Sequence, residues 1–365
     1  MLGKAQGRPS LGSWERAKMQ IVTRPAKTAC SSSPGQLGWR QAMKDAVRDG
    51  TELCRLLGLP ADRASMAAAS DFPLFAPRGF IARMRWGDPH DPLLRQVLPL
   101  ANETVLPPGF TTDPVDDTGA TLASGLLHKY HGRVLMVTTG ACAVHCRYCF
   151  RRHFPYAEVP HAFADWEPAL AHIEADKTIQ EVILSGGDPL TLVDEQLERL
   201  VERLAAVPHL RRLRVHTRLP IMIPQRVNDG LIGWLRGTRL TSVVVIHANH
   251  AAELDDAVAE ALARLIDAGI PLLNQAVLLR GVNDSVDALV ELSERLVELR
   301  VMPYYLHQLD RVRGAAHFEV PRGQGLQLMD ELRARLPGYA VPRYVVEVPG
   351  DASKRQLTGN PKFEI

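Results

Sequence analysis

The stretch Arg133-Val-Leu-Met-Val-Thr-Thr139-Gly-Ala-Cys142-Ala-Val-His-Cys146-Arg-Tyr-Cys149 decides the fold of this chain. Its first seven residues form an apolar run with several β-branched members, which predicts a buried strand. Three of the 5 cysteines of the chain follow at once, where that strand would end. Chemically active side chains directly after a strand are typical of α/β folds, whose loops carry the functional residues.

Short apolar runs of the same kind recur about every 30 residues along the rest of the chain, with helical patterns between them. This alternation predicts βα units and a parallel sheet. Six or seven such units favour a barrel over a doubly wound sheet, and we expect an α/β fold with a partial (β/α)6-type barrel. The predicted strands are Arg133–Thr139, Gln180–Ser185, Arg211–Thr217, Thr241–Ala248, Leu272–Leu279, Met302–His307 and Tyr344–Val348, and the predicted helices include Asp194–Leu204, Ala252–Ala268, Ser285–Leu299 and about 324–336.

The composition is that of a globular protein. The chain has 365 residues, of which 46% are hydrophobic and 23% charged, and a formal net charge of +2. These values exclude a disordered or fibrous chain, and the charge balance provides no long-range attraction to nucleic acid or to a membrane surface. No apolar run approaches the roughly 20 residues that a membrane span requires.

The sequence divides into four segments of different character. A single helix is predicted over about residues 38–58, and the proline-rich residues 72–125 favour short helices and loops over a sheet. The segments are a disordered tail over residues 1–36, a helical region with its connector over 37–125, a barrel core over 126–342, and a C-terminal strand and lysine-containing loop over 343–365.

Polar and glycine-rich segments follow nearly every predicted strand. In an α/β barrel the loops after the strands meet on one face and form the active site, so we expect these segments to converge. They are Cys142–Cys149, Ser185–Asp188, His216–Arg218, His247–His250, Arg280–Asp284, His307–Asp310 and Pro349–Lys354.

The C-x3-C-x2-C run of Cys142, Cys146 and Cys149 predicts a metal centre, because clustered thiols outside a disulfide framework are typical of metal sites. Three thiolates can ligate three corners of a [4Fe–4S] cluster and leave one iron open to another ligand. The alternative is a zinc site with His145 or His153 as the fourth ligand.

With the aromatic Tyr148 before the last cysteine, this run resembles the radical S-adenosylmethionine (SAM) superfamily. The resemblance implies that the open iron binds SAM, which one-electron reduction then cleaves to a 5′-deoxyadenosyl radical. Ser185, Gly186, Gly187 and Asp188 resemble the segment of that superfamily that contacts the methionyl group of SAM. Glycines allow a backbone to approach a ligand closely.

Over about residues 75–357 the chain resembles the lysine 2,3-aminomutases within that superfamily. These isomerases also use pyridoxal 5′-phosphate (PLP), and their PLP lysine matches Lys354, which would form the Schiff base. The matching stretches are Leu127–Tyr130, Cys146–Arg152, Asn274–Asp284 and Met302–Tyr305.

The same resemblance implies roles for the residues around the substrate. Arg151 matches the arginine that binds the α-carboxylate of lysine, and its planar fork suits a carboxylate. Asp284 and Glu347 match carboxylates that pair with the ε-ammonium. The remaining implied contacts are Lys129, Tyr130 and Arg133 at the PLP phosphate, and His216 and Asn249 at SAM or PLP.

Three departures from the free-lysine enzymes make the chain similar to the branch that supplies β-lysine for elongation factor P. The loop before Lys354 is not a glycine run, Glu347 stands where those enzymes have aspartate, and the sequence ends eleven residues after Lys354. This branch implies a lysyl-tRNA-synthetase-like ligase and elongation factor P as downstream partners, a flavodoxin or ferredoxin as electron donor, a cytoplasmic location and a possible homo-oligomer.

Two other functions stay open from the sequence. The first is a free-lysine 2,3-aminomutase that makes β-lysine as a metabolite. The second belongs to another class, a non-catalytic zinc-binding barrel that serves as an interaction protein.

Overall fold

The computed structural model describes residues 38–158 and 163–359. These residues belong to one compact unit that begins at Leu37, so the predicted boundaries at 125/126 and 342/343 fall inside a single body. The tail predicted over residues 1–36 lies outside the described residues. Among the helices described, none has the length and apolar character needed to cross a membrane.

One sheet of ten strands organises the fold, and its strands are neighbours in the order in which they occur along the chain. The seven strands from β3 to β9 are parallel, whereas β1, β2 and β10 pair antiparallel at the two edges. A doubly wound sheet would reverse its strand order, so the sequential order confirms the prediction of a partial α/β barrel. The strands are β1 Thr121–Ala123, β2 Leu126–Tyr130, β3 Arg133–Thr139, β4 Glu181–Gly186, β5 Arg212–Thr217, β6 Thr241–Ile246, β7 Leu272–Val277, β8 Met302–His307, β9 Arg343–Val346 and β10 Arg355–Gln356.

The helices between the parallel strands are amphipathic and pack one apolar stripe against the sheet. In the helix that follows β4, the buried residues Leu197, Leu200, Val201 and Leu204 have the three- and four-residue spacing of a helix face. The helices of the described residues are α1 Trp39–Lys44, α2 Gly50–Leu56, α3 Met66–Asp71, α4 Arg78–Ile81, α5 Pro92–Arg95, α6 Glu167–Ala175, α7 Asp194–Ala205, α8 Leu219–Met222, α9 Asp229–Gly237, α10 Asp256–Asp267, α11 Val286–Glu298 and α12 Arg322–Arg335.

One prediction for the N-terminal region was wrong, and another was confirmed over most of its length. The helix expected over about 38–58 is interrupted, because Val47 and Ala76 exchange two backbone hydrogen bonds and Asp49 caps α2 through the amide of Glu52. The proline-rich residues 72–125 form short helices and loops, as predicted, except for β1 near their end. Gly125 at φ 71° then turns the chain into β2. The first short hairpin of the sheet therefore precedes the parallel strands.

The predicted helix 252–268 begins late. Ala251–Glu253 is a single 3-10 turn, and α10 starts only after Asp255, whose side chain caps it through the amide of Val258. The carboxylate of Glu253 accepts the amides of Asn249 and His250, which holds this residue in the loop after β6.

A single apolar core joins the N-terminal helices to the barrel. Leu53 and Phe80 belong to the same cluster of buried residues as Val182 on β4 and Leu357 near the end of the chain. The N-terminal region therefore packs against the barrel through a shared apolar core.

Candidate active site

The cysteine loop follows β3 and is held by backbone contacts with the N-terminal region. The amide of His145 donates to the carbonyl of Phe75 at 3.0 Å, and that of Arg147 to the carbonyl of Gln96 at 2.9 Å. Within the loop, the amide of Cys149 donates to the carbonyl of Cys146 at 3.0 Å. These bonds place all three thiols at the carboxyl end of the first parallel strand.

Two buried arginines of this loop share one buried carboxylate. The Nη2 atom of Arg147 lies 2.6 Å from Glu103 Oε2, and Nη1 of Arg152 lies 3.1 Å from the same oxygen. Arg147 also donates to the carbonyls of Phe72 and Ala68. A buried charge is tolerated only when it is paired and hydrogen-bonded, so this triad ties the loop firmly to the N-terminal helices.

The spacing of the thiols disfavours the zinc alternative. Tetrahedral zinc with Zn–S bonds of about 2.3 Å brings its sulfur ligands to within about 3.8 Å of one another. Among the described residues, the only three side chains of ligand type with all donor atoms within 4.8 Å are His128, His172 and Asp176, which lie on β2 and at the end of α6.

Both proposed fourth ligands for zinc have other partners. The Nδ1 atom of His145 lies 2.8 Å from the carbonyl oxygen of Pro73, and its ring stacks on Phe72. The Nε2 atom of His153 lies 3.2 Å from the carbonyl oxygen of Arg313. Three thiols that do not all lie within 4.8 Å of one another instead fit a polynuclear cluster, whose iron ions each take one cysteine.

Protein groups alone do not compensate the charge that thiolates at Cys142 and Cys149 would carry. Burial and the neighbouring Cys146 raise the pKa of Cys149 to about 11, and burial raises the pKa of Cys142 as well. A bound iron centre supplies the positive charge that such thiolates require. The donor set therefore fits the cluster.

Arg218, directly after β5, contacts one of the predicted cluster ligands. Its Nη1 atom lies 2.8 Å from the sulfur of Cys146, and its Nη2 atom lies 2.8 Å from Oε2 of the fully buried Glu253. Gln96 accepts from the same Nη2 atom at 2.6 Å. No local sequence signal predicts these contacts, because the three partners of Arg218 lie 35 to 122 residues away along the chain.

Asn249 belongs to the same buried network. Its Nδ2 atom donates to Gln96 Oε1 at 2.9 Å and to the hydroxyl of Tyr148 at 2.6 Å, and its Oδ1 atom accepts the amide of Val277 at 2.8 Å. These contacts support a positioning role beside the cysteine loop, where the sequence had predicted a direct contact with SAM or PLP.

The glycine segment after β4 packs against the start of the cysteine loop. A Cβ atom on Gly187 would lie 2.3 Å from the carbonyl oxygen of Ala141, and Gly186 has φ 123°, so both positions require glycine. The amide of Asp188 donates to the same carbonyl of Ala141 at 2.7 Å. The end of β4 is thereby brought beside Ala141, the residue before Cys142.

The carboxylate of Asp188 is used inside the protein. It accepts the hydroxyl of Thr217 at 2.7 Å and the amides of Leu190, Arg218 and Leu219 at 2.7–3.0 Å, and the residue is only 4% exposed. These contacts support a role in holding the end of β5, and with it Arg218, rather than the direct contact with SAM predicted from the sequence.

Four of the predicted site residues and one additional acid form a chain of alternating charges. Lys354 pairs with Glu347, and Glu347 Oε1 lies 3.0 Å from Lys129 Nζ. Lys129 Nζ lies 2.7 Å from Asp117 Oδ1, and Asp117 Oδ2 lies 2.6 Å from Nε of Arg151. Residues more than 200 positions apart in sequence therefore meet in one site.

The charge chain changes the ionisation of its members. Burial opposes the charge of Glu347, but Lys354 and Lys129 outweigh it and lower the pKa of this carboxyl to about 2. Tyr130 lies beside Glu347, and burial together with that carboxylate raises the pKa of its hydroxyl. Arg133 stacks over the ring of Tyr130, with 4.7 Å between its Cζ atom and the ring centroid.

Three half-buried histidines line the same face. Burial and the nearby Lys354 lower the pKa values of His216 and His307 well below the usual range, and burial lowers that of His247 to about 3. The Nε2 atoms of His216 and His307 are buried without a hydrogen-bond partner in the protein. Neutral rings with unused nitrogens near a lysine fit the edge of a bound cofactor.

Asp310, rather than Asp284, lies near this charge chain. Burial raises the pKa of Asp310 to about 7, and the charges that act on it are those of Lys354, Glu347, Lys129 and Asp117. Asp284, in contrast, accepts the amide of Gly281 at 2.8 Å and interacts with Arg95. Asp310 lies in the polar segment His307–Asp310 after β8, which the sequence pattern predicts to reach the active site. No sequence motif indicates a role for its carboxylate.

The comparisons with known proteins agree with this site. A family model described as a 4Fe-4S single cluster domain matches residues 131–211, which include the cysteine loop. The L-lysine 2,3-aminomutase of Escherichia coli K12 is 46% identical over 89% of this chain and 96% of its own length. This chain belongs to the lysine 2,3-aminomutase family. The aminomutases of Haemophilus influenzae (44% identical over 87% of this chain and 94% of their own) and Buchnera aphidicola (39%, 89% and 96%) are also similar.

Family membership confirms several predictions. The chain is an isomerase of the radical SAM class, with a [4Fe–4S] cluster and SAM as cofactors. Membership of the lysine 2,3-aminomutase family therefore excludes the alternative that the chain is a non-catalytic zinc-binding protein. The residues that bind substrate and cofactors, and the partners, stay predictions.

Proposed function

We propose that this chain converts L-lysine to β-lysine with PLP held on Lys354, and that its product serves the β-lysylation of elongation factor P. The observation that carries the proposal is the chain of alternating charges. It joins Lys354 to Arg151, two residues after Cys149, so a cofactor lysine, a carboxylate-binding arginine and the cluster ligands share one face.

The two cofactor sites fit the groups that the family implies. The cluster and SAM supply a radical that abstracts hydrogen, and Cys142, Cys146 and Cys149 would hold the cluster. PLP supplies an electron sink for the migrating nitrogen, and Lys354 would hold it, with the unused nitrogens of His216 and His307 nearby.

The protein residues around the substrate bind charge at both ends of lysine. Arg151 keeps its two Nη atoms for the α-carboxylate, because its Nε atom is bound to Asp117. Glu347 and Asp310 are the carboxylates available to the ε-ammonium, since an unpaired cation would be costly in this half-buried pocket. We therefore assign the second carboxylate to Asp310 in place of Asp284.

The role in elongation factor P modification rests on Glu347 and the loop before Lys354. Glutamate is one methylene longer than the aspartate of free-lysine enzymes, so the ε-ammonium must lie differently and free lysine should turn over poorly. A downstream ligase that consumes β-lysine would tolerate slow production. Rapid turnover without any ligase would favour the alternative, a free-lysine aminomutase.

The direct experiment is an anaerobic assay of the reconstituted protein with SAM, PLP, dithionite and L-lysine, scored by mass spectrometry. Formation of both 5′-deoxyadenosine and β-lysine is the expected result. If protein with a full cluster formed deoxyadenosine but no β-lysine, this result would contradict the assignment of L-lysine as the substrate. Addition of the ligase and elongation factor P should then produce the β-lysyl mass increment on the factor.

The assignment of Lys354 has its own test. The Lys354→Ala variant should keep the iron content and absorption of the cluster but lose the visible absorption band of lysine-bound PLP, since no other residue would hold the cofactor covalently. Persistence of that band would assign the cofactor to another lysine.

The two aspartates can be separated by matched variants. Asp310→Asn should raise the KM for lysine by about tenfold or more, because a carboxylate that pairs an ammonium is removed. Asp284→Asn should change KM by less than about threefold. The reverse order would restore the assignment of Asp284.

A further inference from the structure

Asp117 is a buried carboxylate between two cations of the site. It is 2% exposed, its Oδ1 atom lies 2.7 Å from Nζ of Lys129, and its Oδ2 atom lies 2.6 Å from Nε of Arg151. Burial alone would raise its pKa, but Arg151 and Lys129 outweigh burial and lower it. The residue is therefore ionised in the site.

The loop that carries Asp117 is built to present it. The two carboxylate oxygens of Asp113 accept the amides of Asp117 and Thr118, each at 2.9 Å, and the hydroxyl of Thr121 donates to the carbonyl of Asp117 at 3.0 Å. The carbonyl of Val115 accepts from Lys129 Nζ at 2.6 Å. Both the backbone and the side chain of Asp117 are thus held before any ligand binds.

The guanidinium of Arg151 is oriented from three sides. Asp117 binds its Nε atom, the ring centroid of Phe150 lies 4.7 Å from its Cζ atom, and Ser185 Oγ lies 3.4 Å from its Nη1 atom. The strongest of these contacts leaves the edge formed by Nη1 and Nη2 without a carboxylate. That edge can bind a carboxylate through two parallel hydrogen bonds.

We propose that Asp117 is a positioning residue for substrate recognition, which orients the Nη edge of Arg151 toward the α-carboxylate of lysine. The proposal rests on the proposed function. Asp117 also compensates the buried charge of Arg151 when no substrate is present, so the arginine needs no other partner in the empty site. Asp117 thereby determines selection of α-amino acids over simple diamines.

The test compares lysine with 1,5-diaminopentane, which is lysine without its carboxylate. Both ligands are titrated into PLP- and cluster-loaded protein without SAM and reductant, so neither reacts, and binding is followed by the visible absorption of PLP. In the wild-type protein lysine should bind more tightly. The ratio of the two dissociation constants measures the recognition of the carboxylate alone.

In Asp117→Ala this ratio should fall by about tenfold or more, with little change for 1,5-diaminopentane, because a charge-assisted bidentate contact is lost. Asp117→Asn keeps an oxygen acceptor for Nε and should give an intermediate ratio. The neighbouring Asp116 is exposed and its carboxylate accepts the amide of Gly119, so Asp116→Asn should keep the wild-type ratio.

An unchanged ratio in either Asp117 variant with full iron content would overturn the proposal, and so would equal weakening of both ligands. If Asp117→Ala fails to load its cluster, the Asp117→Asn ratio decides. Failure of the proposed function has a different signature. In that case the wild-type protein itself shows no preference for lysine and makes no β-lysine.

Discussion

Asp310 and Glu347 are neighbouring carboxyls with opposite proton affinities. Lys354 and Lys129 outweigh burial at Glu347 and lower its pKa to about 2, whereas burial prevails at Asp310 and raises its pKa to about 7. Near neutral pH, Glu347 is therefore ionised while Asp310 exchanges its proton. Because their pKa values diverge, Glu347 stays a constant counter-ion, whereas the protonation of Asp310 can respond to a bound ligand.

The raised pKa of Asp310 predicts a pH-dependent stability. Between the unfolded pKa of 3.8 and the folded value of about 7, the folded state keeps a proton that the unfolded state releases, so rising pH removes stability across this window. Asp310→Asn lacks this loss. Its melting temperature relative to the wild type should increase by about 2–4 °C between pH 5 and pH 8 in the PLP-free protein. An equal difference at both pH values would contradict the prediction.

Arg218 predicts a shift in the potential of the cluster. Its N–H donates to the sulfur of Cys146 at 2.8 Å, and its positive charge favours the reduced, more negative cluster. Arg218→Gln should lower the midpoint potential by on the order of tens of millivolts, measured by redox titration with EPR detection. Arg203→Gln, on the exposed face of α7, is the control and should leave the potential unchanged. A wild-type potential in Arg218→Gln would show that the contact has no electronic effect.

At the scale of elements, the turn that ends β4 determines how closely the cysteine loop can approach the sheet. The amide of Gly187 donates to the carbonyl of Thr139 at 2.8 Å, and no side chain fits between this glycine and Ala141. The turn therefore connects the packing of two parallel strands to the position of the thiols.

Gly187→Ala should reduce both cluster retention and stability, because its Cβ atom would lie 2.3 Å from the carbonyl oxygen of Ala141 and 2.7 Å from its carbonyl carbon. We expect a loss of about 1–3 kcal/mol in the free energy of unfolding, together with low iron content after reconstitution. Gly233→Ala on α9 is the matched control, since nothing lies within 4 Å of its added Cβ, and it should be neutral or stabilising by up to about 1 kcal/mol. Normal iron content in Gly187→Ala would refute the prediction.

The sequence predicted elements well where their pattern is local. The strands Arg133–Thr139 and Met302–His307 have their predicted bounds, because an apolar run between polar residues determines both ends. It failed where tertiary contacts override propensity. Val47 leaves the helical pattern to pair with Ala76, and Glu253 leaves it to bind Arg218.

On the scale of the whole molecule, the N-terminal helices support the cluster site. Glu103 is 5% exposed and is the shared partner of Arg147 and Arg152, which flank the thiols. The cysteine loop therefore depends on a residue about 40 positions earlier in the chain.

Glu103→Gln should destabilise the protein strongly, because Arg147 loses its buried counter-charge and Arg152 keeps only the more distant Asp71, at 3.5 Å. We expect a loss of about 3–5 kcal/mol in unfolding of the metal-free protein, followed by circular dichroism. The control Glu167→Gln affects an exposed ion pair with Arg203 and should change stability by less than about 1 kcal/mol. Equal losses of unfolding free energy in the two variants would mean that the buried triad stabilises the protein no more than an exposed ion pair does.

The candidate site was predictable only in part. Cysteine spacing and family resemblance indicated the thiols, Arg151, Glu347 and Lys354, which carry recognisable motifs. Asp117, Arg218 and Asp310 were not assigned roles, because a single charged residue in a loop has no periodic or motif signal. Their importance appears only when segments distant in sequence pack around the same few atoms.

The pairing of Lys354 with Glu347 also implies an order of loading. Without cofactor, the ammonium of Lys354 occupies the carboxylate that we assign to the substrate, and so acts as an internal competitor for lysine. Attachment of PLP to that nitrogen removes this competitor and leaves Glu347 with Lys129 as its neighbouring cation. Lysine should therefore bind more tightly to the cofactor-loaded protein, and by thermodynamic reciprocity it should retain the cofactor more firmly.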